Sequence, residues 1–112
     1  MDSHLSKGHC VPCEGGTKPM TREEFAVYLP QLPAWTVENN DNQLKREFTF
    51  NNFTEALAFV NKVGAIAESE GHHPNIFMHD WKYVTITLTT FAIGGLSIND
   101  FVLAAKIDEL LP

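Results

Sequence analysis

Hydrophobic positions change their period repeatedly along this chain, and each change marks a new element. From Thr21 the pattern is helical. "TREE" is a capping box, in which the Thr21 hydroxyl accepts from the amide of Glu24 and the Glu24 side chain reaches back. Phe25, Tyr28 and Leu29 then share one face, and Pro30 and Pro33 end the helix. "WTVE" (35–38) and "LKREFTF" (44–50) alternate as two strands about the turn-rich "NNDN". In the second, Leu44, Arg46, Phe48 and Phe50 share a mostly apolar face, while Lys45, Glu47 and Thr49 point away.

A longer helix follows. Asn52 caps it, with Glu55 three residues on, and Phe53, Ala56, Leu57, Val60, Val63 and Ala67 recur at three- and four-residue spacing as one apolar stripe. Gly71 is a natural left-handed terminator, and Pro74 prevents the helix from resuming. "NIFMHDW" and "YVTITLTT" form a second strand pair, with a tight connection near Trp81–Lys82. Val84, Ile86 and Leu88 face one way; Tyr83, Thr85, Thr87 and Thr89 face the other. "IGGLS" is a loop, after which Ser97 caps a last helix with Asp100 at the third position. The order α-β-β-α-β-β-α predicts an α+β domain, a four-stranded antiparallel sheet covered on one face by helices.

The last helix is apolar almost all round: Ile98, Phe101, Val102, Leu103, Ala104, Ala105, Ile107, Leu110 and Leu111 leave it little polar face. Such a helix needs burial on more than one side. In a chain of 112 residues the second surface is expected to be another subunit, so the sequence predicts a homo-oligomer formed through this C-terminal helix. Residues 1–20, rich in Gly, Pro, Ser and Lys, show no period. They read as a flexible N-terminal segment, with order beginning at Thr21 and the domain spanning 21–112.

Charge narrows the function classes. Asp plus Glu is 14 against 8 Lys plus Arg, a net charge of −6. A nucleic-acid binder needs a basic patch to displace counterions, and an electrostatic membrane binder needs the same sign, so neither partner is expected. No apolar run approaches the ~18 residues of a spanning helix, and "MDSHLSKGHC" lacks the apolar core of a signal peptide, so a cytoplasmic location is the default. Cys10 and Cys13 form a single "CVPC", which can be a redox pair, half a metal site or neither. On paper, His4 and His9 complete a four-ligand set with it. A thioredoxin-like motif would follow a strand and open a helix, and no strand precedes this one.

The candidate chemistry sits at "EGHHP". A helix ends in unpaired carbonyls with a partial negative charge, which favours a protonated imidazole just beyond it. His72 and His73 are therefore placed for acid–base work, with Glu68 able to add to the effect if its carboxylate comes near. Capping or packing explains a histidine here equally well. Joint metal binding suits the pair poorly, because adjacent side chains diverge on an extended backbone. Asp100 is accounted for by its capping box alone, and Phe77 and Trp81 by packing.

"E68-xxx-H72-H73-P74", the aromatic Trp81, "TITLTT" and "GGLSINDF" together resemble the pterin-4a-carbinolamine dehydratases, from about Thr21 to Leu111. The "CxxCxGG" start and "LPxW" resemble bacterial-type members. The resemblance implies the same α+β fold in a homodimer or homotetramer. It implies removal of water from 4a-hydroxytetrahydrobiopterin to give the quinonoid dihydropterin, in tetrahydrobiopterin recycling, with no metal or organic cofactor. It makes His72 the general acid on the departing hydroxyl and His73 the residue that binds and orients the pterin. Glu68, Trp81, Thr89, Thr90 and Asp100 join the substrate site. Ten residues past Trp81 the family places His or Trp, and here stands Phe91, whose ring can wall the site but cannot pass a proton. The alternative carried by that departure is a catalytically impaired member that acts as a binding or dimerisation module for a protein partner.

Overall fold

Capping at three helix starts and one stop sets the architecture. The computed structural model describes residues 5–11 and 17–111. Helix α1 (Arg22–Phe25) begins at the Thr21 capping box, with both of its reciprocal hydrogen bonds formed. It tightens into a 3-10 turn, Ala26–Gln31, that carries Pro30. Strands β1 (Thr36–Glu38) and β2 (Gln43–Thr49) are joined by Asn39, Asn40 and Asp41, all in the left-handed region at φ 56°, 56° and 65°. Asn and Asp tolerate that region better than other non-glycine residues. Helix α2 (Phe53–Glu70) starts where the Asn52 side chain accepts from the Glu55 amide. Strands β3 (Asn75–His79) and β4 (Tyr83–Leu88) precede helix α3 (Ile98–Asp108), which opens on a complete Ser97/Asp100 capping box.

The four strands form one antiparallel sheet in the order β1-β2-β4-β3. Its inner face presents Leu44, Phe48, Val84, Ile86 and Leu88, all buried, as the alternation predicted. Phe48 lies 4.7 Å from Phe59 of α2 and 6.1 Å from Trp35, ring centre to ring centre. Truncating one such buried ring costs about 3–5 kcal/mol. At the edge of this core Asp108 accepts from Trp35 Nε1 at 2.9 Å and from Arg46 at 2.6 Å. Burial pushes the Asp108 carboxyl up from its ordinary value, against the opposing pull of those two partners.

Two expectations change. The apolar stripe of α2 is rotated: Ala56, Phe59, Val63 and Ala67 are buried, whereas Phe53 and Leu57 stay exposed. The all-apolar α3 finds its second cover within its own chain. Phe101 stacks on Phe25 at 5.4 Å, and order begins before Thr21, because Leu5–Lys7 form a 3-10 turn with Leu5 buried in the core. Gly8 approaches Val102 so closely that a Cβ there would meet a Val102 methyl at 3.3 Å. Ser6 donates to Glu109, and Lys106 donates to the Ser6 carbonyl at 2.9 Å. The apolarity of α3 therefore demands no second subunit.

Candidate functional site

The end of α2 creates the site. Gly71 takes φ +66°, which L side chains rarely adopt, and the chain reverses there. The His72 amide donates to the Ala67 carbonyl and the Gly71 amide to the Glu68 carbonyl, the paired bonds of a left-handed helix stop. His72 thus leaves the helical path instead of standing one turn beyond Glu68, and its ring drops toward α3.

There His72 Nε2 meets Asp100 Oδ1 at 2.7 Å. Asp100 is fully buried and the His72 side chain is 12% exposed. The other oxygen, Oδ2, accepts from the Thr90 hydroxyl at 2.8 Å and from the Ser97 amide at 2.9 Å. Thr90 Oγ1 and Ser97 Oγ share a further hydrogen bond at 2.7 Å. Capping and function are thus not alternatives for Asp100: one oxygen serves the helix start and the other serves the imidazole. His73 has a different setting. Its Nε2 lies 2.9 Å from Glu68 Oε1, with the two side chains 64% and 82% exposed. Glu68 therefore partners His73, and His72 takes its carboxylate from α3.

A cavity of about 320 Å3 opens beside this pair, lined by Val11, Gly71, His72, His73, Thr89, Thr90, Phe91, Ala92 and Asn99. The size is that of a small-molecule pocket. The "GG" loop holds its far wall in place. Gly94 turns at φ +71°, and Gly95 accepts from the Thr90 amide at 2.8 Å while a Cβ on it would meet Pro19 at 2.7 Å. Thr89 Oγ1 donates to the Asn42 carbonyl at 2.7 Å.

Of the residues the sequence singled out, His72, His73, Thr89, Thr90 and Phe91 line the cavity, Asp100 underlies it and Glu68 flanks it. Phe91 is a rim residue, 95% exposed. Trp81 is not brought in. It sits on the β3–β4 turn with Lys82 Nζ 5.1 Å over its ring, at the opposite end of β4, roughly 25 Å away along the strand at 3.3 Å per residue. Nor does His79 take the place of an acid at position 91. It stacks on Phe77 and Tyr83 on the outer face of the sheet, hydrogen-bonded to Asp80. Val11 and Asn99 were missed, and no local pattern marks either. Of the paper metal set, His9 pairs with Glu70 at 3.1 Å and Cys10 Sγ lies 3.6 Å from the Asn99 carbonyl oxygen, while His4 and Cys13 lie outside the described residues. Among the described residues no helix is long and apolar enough to cross a membrane.

The same fold occurs in known proteins. A chain from Methylococcus capsulatus named "Putative pterin-4-alpha-carbinolamine dehydratase" is 46% identical over 106 residues, covering 95% of this chain and 92% of that one. A solved structure titled as a transcriptional coactivator/pterin dehydratase from Brucella melitensis superposes with a TM-score of 0.78 at 26% identity, over 85% of this chain and 100% of that one. A second, a pterin dehydratase-like protein described as a RuBisCO assembly factor in the alpha-carboxysome, gives 0.59 at 28% identity, over 69% of this chain and 88% of that one. The model of the pterin 4 alpha carbinolamine dehydratase family matches residues 18–110, so the histidine pair, its buried aspartate and the "GG" loop all lie within the match, and this chain belongs to that family.

Proposed function

We propose that this protein is a 4a-hydroxytetrahydrobiopterin dehydratase that works in tetrahydrobiopterin recycling in the cytoplasm. The observation that carries the reading is the His72–Asp100 pair at the cavity floor, an imidazole held by a buried carboxylate through one nitrogen. That bond fixes the orientation of the ring and leaves Nδ1 for the substrate. His72 delivers a proton to the 4a-hydroxyl, the C4a–O bond breaks and water departs. The electrons of N5 form the C4a=N5 bond of the quinonoid product as the N5 proton is lost. His73, more exposed and paired with an exposed Glu68, binds and orients the pterin. Thr89 and Thr90 edge it. The chemistry calls on no metal or organic cofactor.

The experiment is a coupled assay with synthetic 4a-hydroxytetrahydropterin. Dehydration well above the spontaneous rate is expected, and a rate equal to the spontaneous one overturns the reading. A second reading has its own observation: Phe91, exposed at the rim, stands where a further acid would be, and solved relatives carry the coactivator and assembly-factor titles. An impaired member serving as a binding module would fold, associate and fail that assay. Self-association is part of both readings. With α3 covered internally, the exposed Phe53 and Leu57 of α2 are the better surface for a second copy, and light scattering that finds a monomer at micromolar concentration removes it.

A further inference from the structure

One side of the cavity is built by a segment that carries no periodic pattern. Val11 lines it together with Asn99, the residue before Asp100. Asn99 is buried, and its amide pairs both ways with the Val11 backbone: the Val11 amide donates to Oδ1 at 2.9 Å, and Nδ2 donates to the Val11 carbonyl at 2.5 Å. A side chain here imitates one rung of a β-ladder. A second anchor stands one residue earlier. The Cys10 amide donates to Glu70 Oε1 at 2.8 Å, His9 Nδ1 lies 3.1 Å from Oε2, and Lys106 Nζ is 3.7 Å from the same oxygen. The Cys10 amide, with His9 and Lys106, holds the Glu70 carboxyl below its ordinary value.

We infer that Asn99 is a positioning residue which seats the end of the His9–Val11 segment so that Val11 forms a wall of the substrate cavity, with its half-exposed side chain as the apolar contact. The inference rests on the dehydratase reading above. The first turn of α3 then holds both sides of the site, His72 through Asp100 and the wall through Asn99. The division of labour has a kinetic signature. Asp100 acts on the ring that moves the proton, whereas the wall touches substrate alone. Changes to the wall weaken binding and leave the chemical step intact.

The test is steady-state kinetics on full-length Val11→Ala and Asn99→Leu with 4a-hydroxytetrahydropterin, alongside amide hydrogen exchange at Cys10 and Val11. Val11→Ala changes an exposed side chain and keeps both backbone bonds. It should raise KM roughly threefold to tenfold with kcat within about twofold, the loss expected when two methyl groups leave a partly covered contact. Asn99→Leu should raise KM on the order of tenfold, and exchange at the Val11 amide should speed up, because the two bonds that hold Val11 are gone while the Glu70 anchor remains. Unchanged KM in both variants, with faster exchange in Asn99→Leu, would show that the segment packs against α3 and contributes nothing to the site. A fall in kcat at unchanged KM would equally overturn the wall. If Asn99→Leu does not fold, Val11→Ala decides alone. Wild type without turnover is a separate result. It sinks the dehydratase reading and takes the wall with it, whereas an active wild type with unmoved KM sinks only the wall.

Discussion

His72 and His73 are adjacent in sequence and opposite in circumstance. The first is nearly enclosed, 2.7 Å from a carboxylate with no exposed surface; the second stands in solvent beside a carboxylate that is itself exposed. An ion pair or hydrogen bond between exposed groups is worth ~0–1 kcal/mol, since water competes for both partners. A buried carboxylate that two other groups, the Thr90 hydroxyl and the Ser97 amide, already hold has little freedom to move, so it fixes the ring it holds. Identical side chains thus acquire different settings from what lies behind them: one ring is held rigid, as the proposed proton donor requires, and the other is left adaptable.

The largest effect should come from breaking the enclosed side. His72→Ala is expected to lower kcat by about 10²–10⁴-fold, the usual weight of a positioned acid, while His73→Ala chiefly raises KM. Steady-state kinetics on the two variants checks this, and near wild-type turnover in His72→Ala removes the assignment. Next comes Asp100→Asn, which keeps the shape but weakens the hold on the ring. A loss of at least about 10-fold and up to about 10⁴-fold in kcat is expected, the lower end matching partners that orient metal-bound histidines and the upper end a carboxylate behind an acid–base histidine. Thermal melts should accompany the assay, because Asp100 also closes the α3 capping box. A loss of stability with unchanged kcat would reduce Asp100 to its capping role.

Phe91 sharpens the contrast from the other side of the cavity. A hydroxyl on either face of C4a must meet an acid on that same face, and the described residues offer only His72 and the exposed His73. One 4a-hydroxy stereoisomer should therefore be dehydrated well and the other slowly, and Phe91→His should raise the slow one by about tenfold or more. Following the two isomers separately settles it; equal rates in the wild type would show that no acid is missing. The smallest effect is expected on the exposed side. Glu68→Gln should change kcat and KM by no more than about twofold, since it disturbs only a solvated pair. A larger loss would mean that Glu68 touches the substrate directly.

The fold was legible where its determinants are local. Two capping boxes, the Asn52 cap, the glycine stop and the alternation of β2 and β4 are each written within a few residues, and each is present in the structure. Of the candidate site, only the helix-end placement of His72 and His73 was legible locally; Thr89, Thr90 and Phe91 came through the family resemblance, and all five line one cavity. What stayed hidden depends on distance. Glu68, four residues from His72, is the nearer carboxylate in sequence, yet the left-handed turn at Gly71 hands His72 to Asp100, 28 residues on. The two puzzles of the sequence, an apolar helix without cover and a tail without pattern, answer one another across about 90 residues, which no local period records. Phe59 was missed because α2 carries more apolar residues than one stripe holds, and only the packing against Phe48 and Phe50 chooses among them.

The glycine stop at the end of α2 has a consequence for how this chain can change in length. A helix advances its residues by about 100° each, so one residue added or lost between Asn52 and Gly71 would swing the histidines around the axis and away from the aspartate waiting on α3. No point substitution restores that alignment. At the other end of β3 the turn Asp80–Lys82 lies far from the cavity and ends in exposed side chains. Insertions there would lengthen a hairpin and leave the histidines where they are. The molecule is thus tolerant of growth at one end of its sheet and close to intolerant of it along α2, whose count of residues works as a ruler for the chemistry.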